Sequence, residues 1–252
     1  IADSSSSSSS SSESGSSSES SSDESSAGFD SVNHIKMAVL DAALQHIPET
    51  GFTEQSIAKG AESLGYSSMM HGIVEGAGAE LFTHLQGRLN EELEEKLLQW
   101  KQQGHHSGNQ SAFIEEALKF RLELILPYLP HWSRGLVTAS MSPQHACRGV
   151  ANVAAMADHV AHYSGNNSVD SGWYTGRIAI GVVYKLTELS LLQDQSTNFK
   201  ETWSFLQRRV SEGQSCCNVF KNLDTVAADT AKLAAAAIAT GFNILGMNGR
   251  FR

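Results

Sequence analysis

The residues that could bind a metal ion or transfer protons lie in two short clusters. Asp158, His159 and His162 fall within about one turn of a predicted helix, and His105 and His106 are adjacent in a glycine-containing stretch. A di-iron carboxylate bundle places Glu-x-x-His pairs on two helices, and this sequence has no such pair. We therefore interpret His162 as a packed or surface histidine and predict neither a metal ion nor a cofactor.

Residues that could act as nucleophiles form no recognisable catalytic pattern. The three cysteines, Cys147, Cys216 and Cys217, are odd in number and two of them are adjacent, so they make no disulfide framework and favour a reducing compartment. No glycine-rich phosphate loop follows a predicted strand. The sequence thus predicts a protein that is not an enzyme. A hydrolase or oxygenase site assembled in space from distant residues stays open as an alternative.

The first helices of the folded part predict a helix-turn-helix over 31–75, but its chemistry does not suit DNA. A recognition helix carries side chains that reach phosphates and base edges, and the predicted third helix, Ser68–Val74, has no Lys or Arg. Three basic residues stand against six acidic ones between Ser31 and Asn90. A surface of that balance repels a duplex, so we predict no nucleic-acid partner.

The elements that position these residues are all predicted to be helices. Helical periodicity of apolar residues indicates helices over 31–47, 53–64, 68–74, 80–102, 112–129, 132–141, 144–163, 173–192 and 199–217. No segment alternates in the way a strand does, so the predicted class is all-α. An apolar pocket between long helices and a filled core are both consistent with this pattern.

Both ends of the chain differ in composition from this helical part. Residues 1–30 are predicted to be a disordered linker, since Ile1–Ser26 is nearly all serine with five acidic residues and no Lys or Arg. Because the chain starts with Ile rather than Met, we expect a processed form or a fragment. The predicted division is therefore a linker (1–30), a helix-turn-helix-like subdomain (31–75), a helical domain (76–217) and a C-terminal helix with its tail (218–252).

The helix over 173–192 is the most informative element of the sequence. One side carries Ile178, Val182, Leu186 and Leu189, and Ile180, Val183 and Leu191 widen this apolar side to over half of the circumference. The remaining narrow polar stripe carries Arg177, Gly181, Tyr184 and Glu188. We expect the apolar side to be buried and the polar stripe to lie near solvent. Trp173 and Tyr174 sit beside the stripe. With Arg177 and the upstream Asp170 they predict a patch for a partner or a lipid surface, and capping of the core by the two aromatics is the alternative.

The last predicted helix, 219–245, is amphipathic. Its apolar stripe includes Leu223, Val226, Ala234, Ile238 and Leu245. The opposite side carries charges that exclude a transmembrane span: Lys221, Asp224, Asp229 and Lys232. Such a helix lies on a bilayer, packs on the core or pairs with a second subunit. We predict that the five apolar residues contact a membrane.

Two sets of motifs resemble known families. Val39-Leu-Asp-Ala-Ala-Leu, Gly51-Phe-Thr and Ile57-Ala-Lys-Gly-Ala are similar to the N-terminal domain of TetR-type regulators. The motifs further along the chain resemble the lipid-binding accessory protein family of ubiquinone (coenzyme Q) biosynthesis: Leu126-Pro-Tyr, His131-Trp132, His162-Tyr163, Asp170, Trp173-Tyr174-Thr175, Arg177, Thr187-Glu188-Leu189, Gln193-Asp194 and Thr202-Trp203-x-Phe205-Leu206. This second resemblance covers the chain from about Asn33 onward.

The resemblance implies a TetR-like, dimeric fold without DNA binding, in which 76–217 binds lipid and forms the dimer. It implies a protein on the matrix side of the mitochondrial inner membrane that binds isoprenoid quinone intermediates. It also implies that the Trp-Tyr patch contacts the di-iron hydroxylase of the pathway and that the terminal amphipathic helix contacts the membrane. A TetR-type transcriptional regulator with a ligand pocket is the alternative function.

Overall fold

The structure is a computed structural model, and it describes residues 23–104, 108–165 and 172–221. They form nine α-helices and no strand, which confirms the predicted all-α class: α1 (Asp23–Leu44), α2 (Ile47–Thr50), α3 (Glu54–Ser63), α4 (Ala77–Gln102), α5 (Gln110–Glu123), α6 (Leu129–Ser140), α7 (Pro143–Tyr163), α8 (Gly172–Gln193) and α9 (Lys200–Lys221). Short 3-10 helices lie at Ser68–Ile73, Leu126–Tyr128 and Thr197–Phe199.

Several helix ends differ from the predicted positions, and two of the differences bear on the predicted division of the chain. The first helix, α1, begins at Asp23, inside the segment 1–30 that was assigned to a linker. The last described helix, α9, continues to Lys221, past the predicted break between residues 217 and 218. The rest of the predicted C-terminal helix, including Leu223, Val226, Ala234, Ile238 and Leu245, lies outside the described residues.

The first three helices and the following 3-10 helix form the predicted helix-turn-helix-like region. α1 and α3 cross in direct contact, since a Cβ added at Gly60 would lie 2.6 Å from the backbone N of Ala43. Only glycine permits that approach. The 3-10 helix exposes Met69 and has no Lys or Arg. The absence of DNA binding by this region stays a prediction.

The core is built around α4, which contacts α1, α5, α6 and α7. The predicted leucine ladder of this helix is buried throughout: Leu81, Leu85, Leu89, Leu93 and Leu97. Beside it, Phe52, Phe82 and Trp132 pack edge to face, with the Phe82 and Trp132 rings 4.9 Å apart. This aromatic cluster joins the helix-turn-helix-like region to the rest of the bundle.

The predicted placement of the polar stripe of α8 near solvent is wrong. The residues assigned to the polar stripe face the core, with Gly181, Tyr184 and Glu188 buried. The predicted apolar side is divided, because Ile180, Val183 and Leu191 are buried as expected whereas Ile178 is 48% and Leu186 38% exposed. A tertiary partner explains the burial of Glu188, because the Nε1 of Trp132 (α6) donates to Glu188 Oε1 at 2.9 Å. Within α8, the Nζ of Lys185 donates to Oε2 at 2.6 Å. A satisfied carboxylate can be buried where an unpaired one cannot.

Candidate functional site

The predicted partner patch lies at the start of α8, where the structure shows two of its residues fully. Tyr174 is 68% exposed. Arg177 is largely buried, and its Nε lies 2.5 Å from Asp158 Oδ1 on α7. The guanidinium therefore fixes α8 to α7 in addition to any contact with a partner. Asp170 and the side chain of Trp173 lie outside the described residues, so their part in the patch stays a prediction.

The connection from α8 to α9 is held by one carboxylate. Asp194 accepts hydrogen bonds from the backbone N of Ser196 (2.7 Å) and from the backbone N and Oγ1 of Thr202 (2.9 and 2.6 Å). The bonds from Ser196 and Thr202 hold the pKa of Asp194 well below its usual range. Asp194 and Thr202, two residues of the family-like motifs, thus shape the turn into α9.

A buried polar cluster that the sequence reasoning missed lies between α4, α5, α7 and α8. Its members are Gln86, Asn90, Arg121, Asn152 and Tyr184, and with Val153 and Met156 they line a cavity of about 10 Å³. Arg121 is 3% exposed. The signal was available, since Arg121 lies four residues after Ala117 on the predicted buried side of α5.

Burial and charge both act on the phenol of this cluster. Burial raises the pKa of Tyr184 far above its usual value. The positive charge of Arg121 opposes that shift, and the negative charge of Glu188 adds to it. The phenol is therefore neutral at physiological pH, and the cluster keeps the positive charge of Arg121.

A second polar cluster ties the helix-turn-helix-like region to the bundle. Glu80 on α4, with a side chain 8% exposed, contacts Lys36 on α1 at 3.0 Å. Its carboxylate also contacts His145 at 3.1 Å and Arg148 at 2.5 Å, both on α7. Burial raises the pKa of Glu80, but the hydrogen bond and charge of Lys36 and the charge of Arg148 outweigh burial and lower it.

The Glu80→Gln variant is expected to lose about 2–4 kcal/mol of unfolding free energy at neutral pH, because Lys36 and Arg148 then lose the anion that they share. The lowered pKa means that the carboxylate stabilises the fold fully above the ordinary Glu value of 4.5. That stabilisation is lost as the pH falls through the lower pKa of the folded state. Urea unfolding at neutral and acidic pH measures both effects.

The control for this experiment is Glu49→Gln, since Glu49 is 72% exposed and pairs only with Lys59 at 3.2 Å. Exposed pairs contribute less than about 1 kcal/mol. Equal losses in the two variants would contradict the role assigned to Glu80, as would a loss in Glu80→Gln that is the same at both pH values.

Within the described ranges, no group of three His, Cys, Asp or Glu residues is placed to hold a metal ion. His159, one of the residues weighed as a ligand, lies 3.5 Å from Glu94, and His162 packs edge to face on Tyr163. Among the same residues, no helix has the length and apolar character needed to span a bilayer.

Comparison with known proteins gives the family. The family model described as COQ9 matches residues 146–216, which span nearly all of α7, then α8 and most of α9. The ubiquinone biosynthesis protein COQ9, mitochondrial, of Rattus norvegicus is 33% identical over 88% of this chain and 72% of its own length. The chain belongs to the COQ9 family. The predicted resemblance to the ubiquinone biosynthesis family is confirmed, and the resemblance to TetR-type regulators stays a prediction.

Other COQ9 proteins align over a similar extent. Those of Drosophila melanogaster and Homo sapiens are 37% and 32% identical, over 86% and 88% of this chain and 66% and 71% of their own lengths. The chain therefore spans about two thirds to three quarters of the length of these COQ9 relatives. The matched family region contains Tyr174, Arg177 and Glu188, so the features of α8 described above lie within it.

Proposed function

We propose that this protein is a non-enzymatic lipid-binding accessory protein of ubiquinone biosynthesis. It binds isoprenoid quinone intermediates and presents them to the di-iron hydroxylase of the pathway, on the matrix side of the mitochondrial inner membrane. Membership of the COQ9 family carries the proposal, because the relatives are named mitochondrial ubiquinone biosynthesis proteins. A quinone with an isoprenoid tail is too apolar to cross water unaided. Its transfer between membrane and enzyme therefore needs a protein that shields the tail from water.

Native mass spectrometry of the purified full chain, with organic extraction of the bound material, tests this function. We expect an isoprenoid quinone or another isoprenoid lipid to leave with the protein. A protein that carries no lipid, or that converts a quinone precursor without the hydroxylase, would refute the carrier role.

The membrane contact is assigned to the C-terminal helix. Its apolar stripe and charged opposite side are the pattern of a helix that lies in the headgroup region. Deleting residues after Asn218 should weaken co-sedimentation with liposomes while leaving thermal melting nearly unchanged. A collapse of the melting transition would instead assign this helix to the core.

The outward side of α7 and α8 supports the proposal of a homodimer. These two helices pack together, and both present apolar or small residues to solvent: Val150, Ala151, Ala154, Ile178 and Leu186. Val150 is 72% exposed. Contiguous exposed apolar surface marks an interaction site more often than a free surface. Because the exposed residues lie along two adjacent helices, a second copy can cover them by a four-helix contact.

The variant Ile178→Asp is expected to weaken the dimer at least about tenfold, since it places an unpaired carboxylate in an apolar contact. Sedimentation equilibrium measures the change. The control is Met69→Asp, because Met69 is 76% exposed but lies in the helix-turn-helix-like region. A wild-type protein that is monomeric at every concentration, or an Ile178→Asp variant that still dimerises normally, would show that another segment covers this surface.

A further inference from the structure

Arg121 is a buried cation with an unused hydrogen-bond donor. Its Nε donates to Asn90 Oδ1 at 3.1 Å and its Nη2 donates to the backbone O of Gln86 at 3.5 Å. The guanidinium carbon lies 5.7 Å from the ring centre of Tyr184. Within the described part of the chain, Nη1 has no hydrogen-bond partner. The Nε and Nη2 groups and one face of the guanidinium thus have contacts. Nη1 remains as an unused donor of a residue that lines the cavity.

The charge of Arg121 is also uncompensated. The neighbouring acidic residue on α8, Glu188, is engaged by Trp132 and Lys185, and no carboxylate of the described residues forms an ion pair with Arg121. A buried charge without a partner costs several kcal/mol. An anion bound next to Arg121 would remove this cost, and that would favour its binding.

The cavity beside Arg121 has polar and apolar walls. Gln86 contributes a side-chain Oε1 without a partner, and a 180° rotation of its amide would offer the Nε2 donor instead. Val153 and Met156 on α7 form the apolar wall. The volume of about 10 Å³ holds one water-sized atom. Asn152 and Val153, which line the cavity from α7, are half-buried.

We propose that this cavity holds an anionic oxygen of a lipid head group, a carboxylate or an ionised phenol, on Nη1 of Arg121. The apolar part of the ligand then follows Val153 and Met156 along α7. This inference rests on the proposed lipid-binding function and adds to it the charge of the head group and the residue that recognises it. Asn90 orients the guanidinium, and Tyr184 supports its face.

Two probes with the same isoprenoid tail test the proposal on the full chain: farnesoic acid, which is ionised at neutral pH, and farnesol, which is neutral. We expect the acid to bind at least about tenfold more tightly, because a charge-assisted hydrogen bond forms only with it. Arg121→Met should abolish this preference. Arg88→Met is the matched control, since Arg88 lies on α4 with its side chain 50% exposed, and it should keep the preference.

The outcomes separate this inference from the proposed function. Equal binding of both probes, or a preference that survives in Arg121→Met, would mean that the cavity holds only a bridging water, while lipid binding stands. Binding of neither probe would count against the proposed function together with the inference. Thermal melting shows whether Arg121→Met folds, and if it does not, Arg121→Gln, which removes the charge but keeps hydrogen-bond donors, takes its place and should also lose the preference.

Discussion

Replacing Trp132 with alanine is expected to lower the free energy of unfolding by about 3–5 kcal/mol, the range for deleting a buried aromatic side chain. Trp132 is fully buried. Its ring packs edge to face on Phe82 and Phe52, and its Nε1 donates to Glu188. The alanine variant therefore removes both the centre of the aromatic cluster and the donor that allows Glu188 to be buried. Guanidinium unfolding followed by circular dichroism measures the loss.

The variant Trp132→Phe separates these two contributions, since it keeps most of the ring and removes only the indole N–H. We expect the free energy of unfolding to fall by about 1–3 kcal/mol, because the buried carboxylate of Glu188 then lacks one hydrogen-bond donor. A further Glu188→Gln substitution should cost less in the Trp132→Phe background than in the wild type, because the two residues interact directly. Strictly additive losses would show that the 2.9 Å contact contributes nothing to the orientation of α8.

Replacing Tyr174 with alanine is expected to weaken binding of the di-iron hydroxylase by about 2 kcal/mol or more, roughly thirtyfold in affinity. Tyr174 is 68% exposed. Its side chain therefore buries little surface when the protein folds and much more when a partner covers it. The same loss is predicted for Trp173→Ala. A quantitative binding assay with the hydroxylase, paired with a melting curve for each variant, measures the effect. The lipid content of the purified variants should not change.

The control for this surface is Tyr66→Ala. Tyr66 is 40% exposed and lies between α3 and the first 3-10 helix, in the helix-turn-helix-like region. We expect it to leave the affinity for the hydroxylase unchanged. If Tyr174→Ala binds as tightly as the wild type, or if Trp173→Ala unfolds the protein, then the two aromatics cap the core and the partner patch lies elsewhere. Arg177→Ala would give a less clear answer, because the Asp158 contact gives Arg177 a structural role.

The sequence by itself determined the all-α class, the approximate positions of most helices and which residues on each helix share a face. The leucine ladder of α4 is buried as its period predicts. Five leucines at helical spacing lie on one side of the helix, and that side packs against the core. The composition of the 3-10 helix at Ser68–Ile73 was also informative, since a helix without Lys or Arg contributes no charge that attracts phosphates.

Only the tertiary structure decided which face of α8 meets the core. This helix is apolar around most of its circumference. The period therefore shows which residues share a face, but it does not show which face is buried. The deciding contacts come from residues distant in sequence, above all Trp132, which is 56 positions from Glu188. Arg121 and Asn90, 31 positions apart, show the same limit. A buried polar group is stable only where its partners converge, and periodicity along one helix contains no information about residues on another.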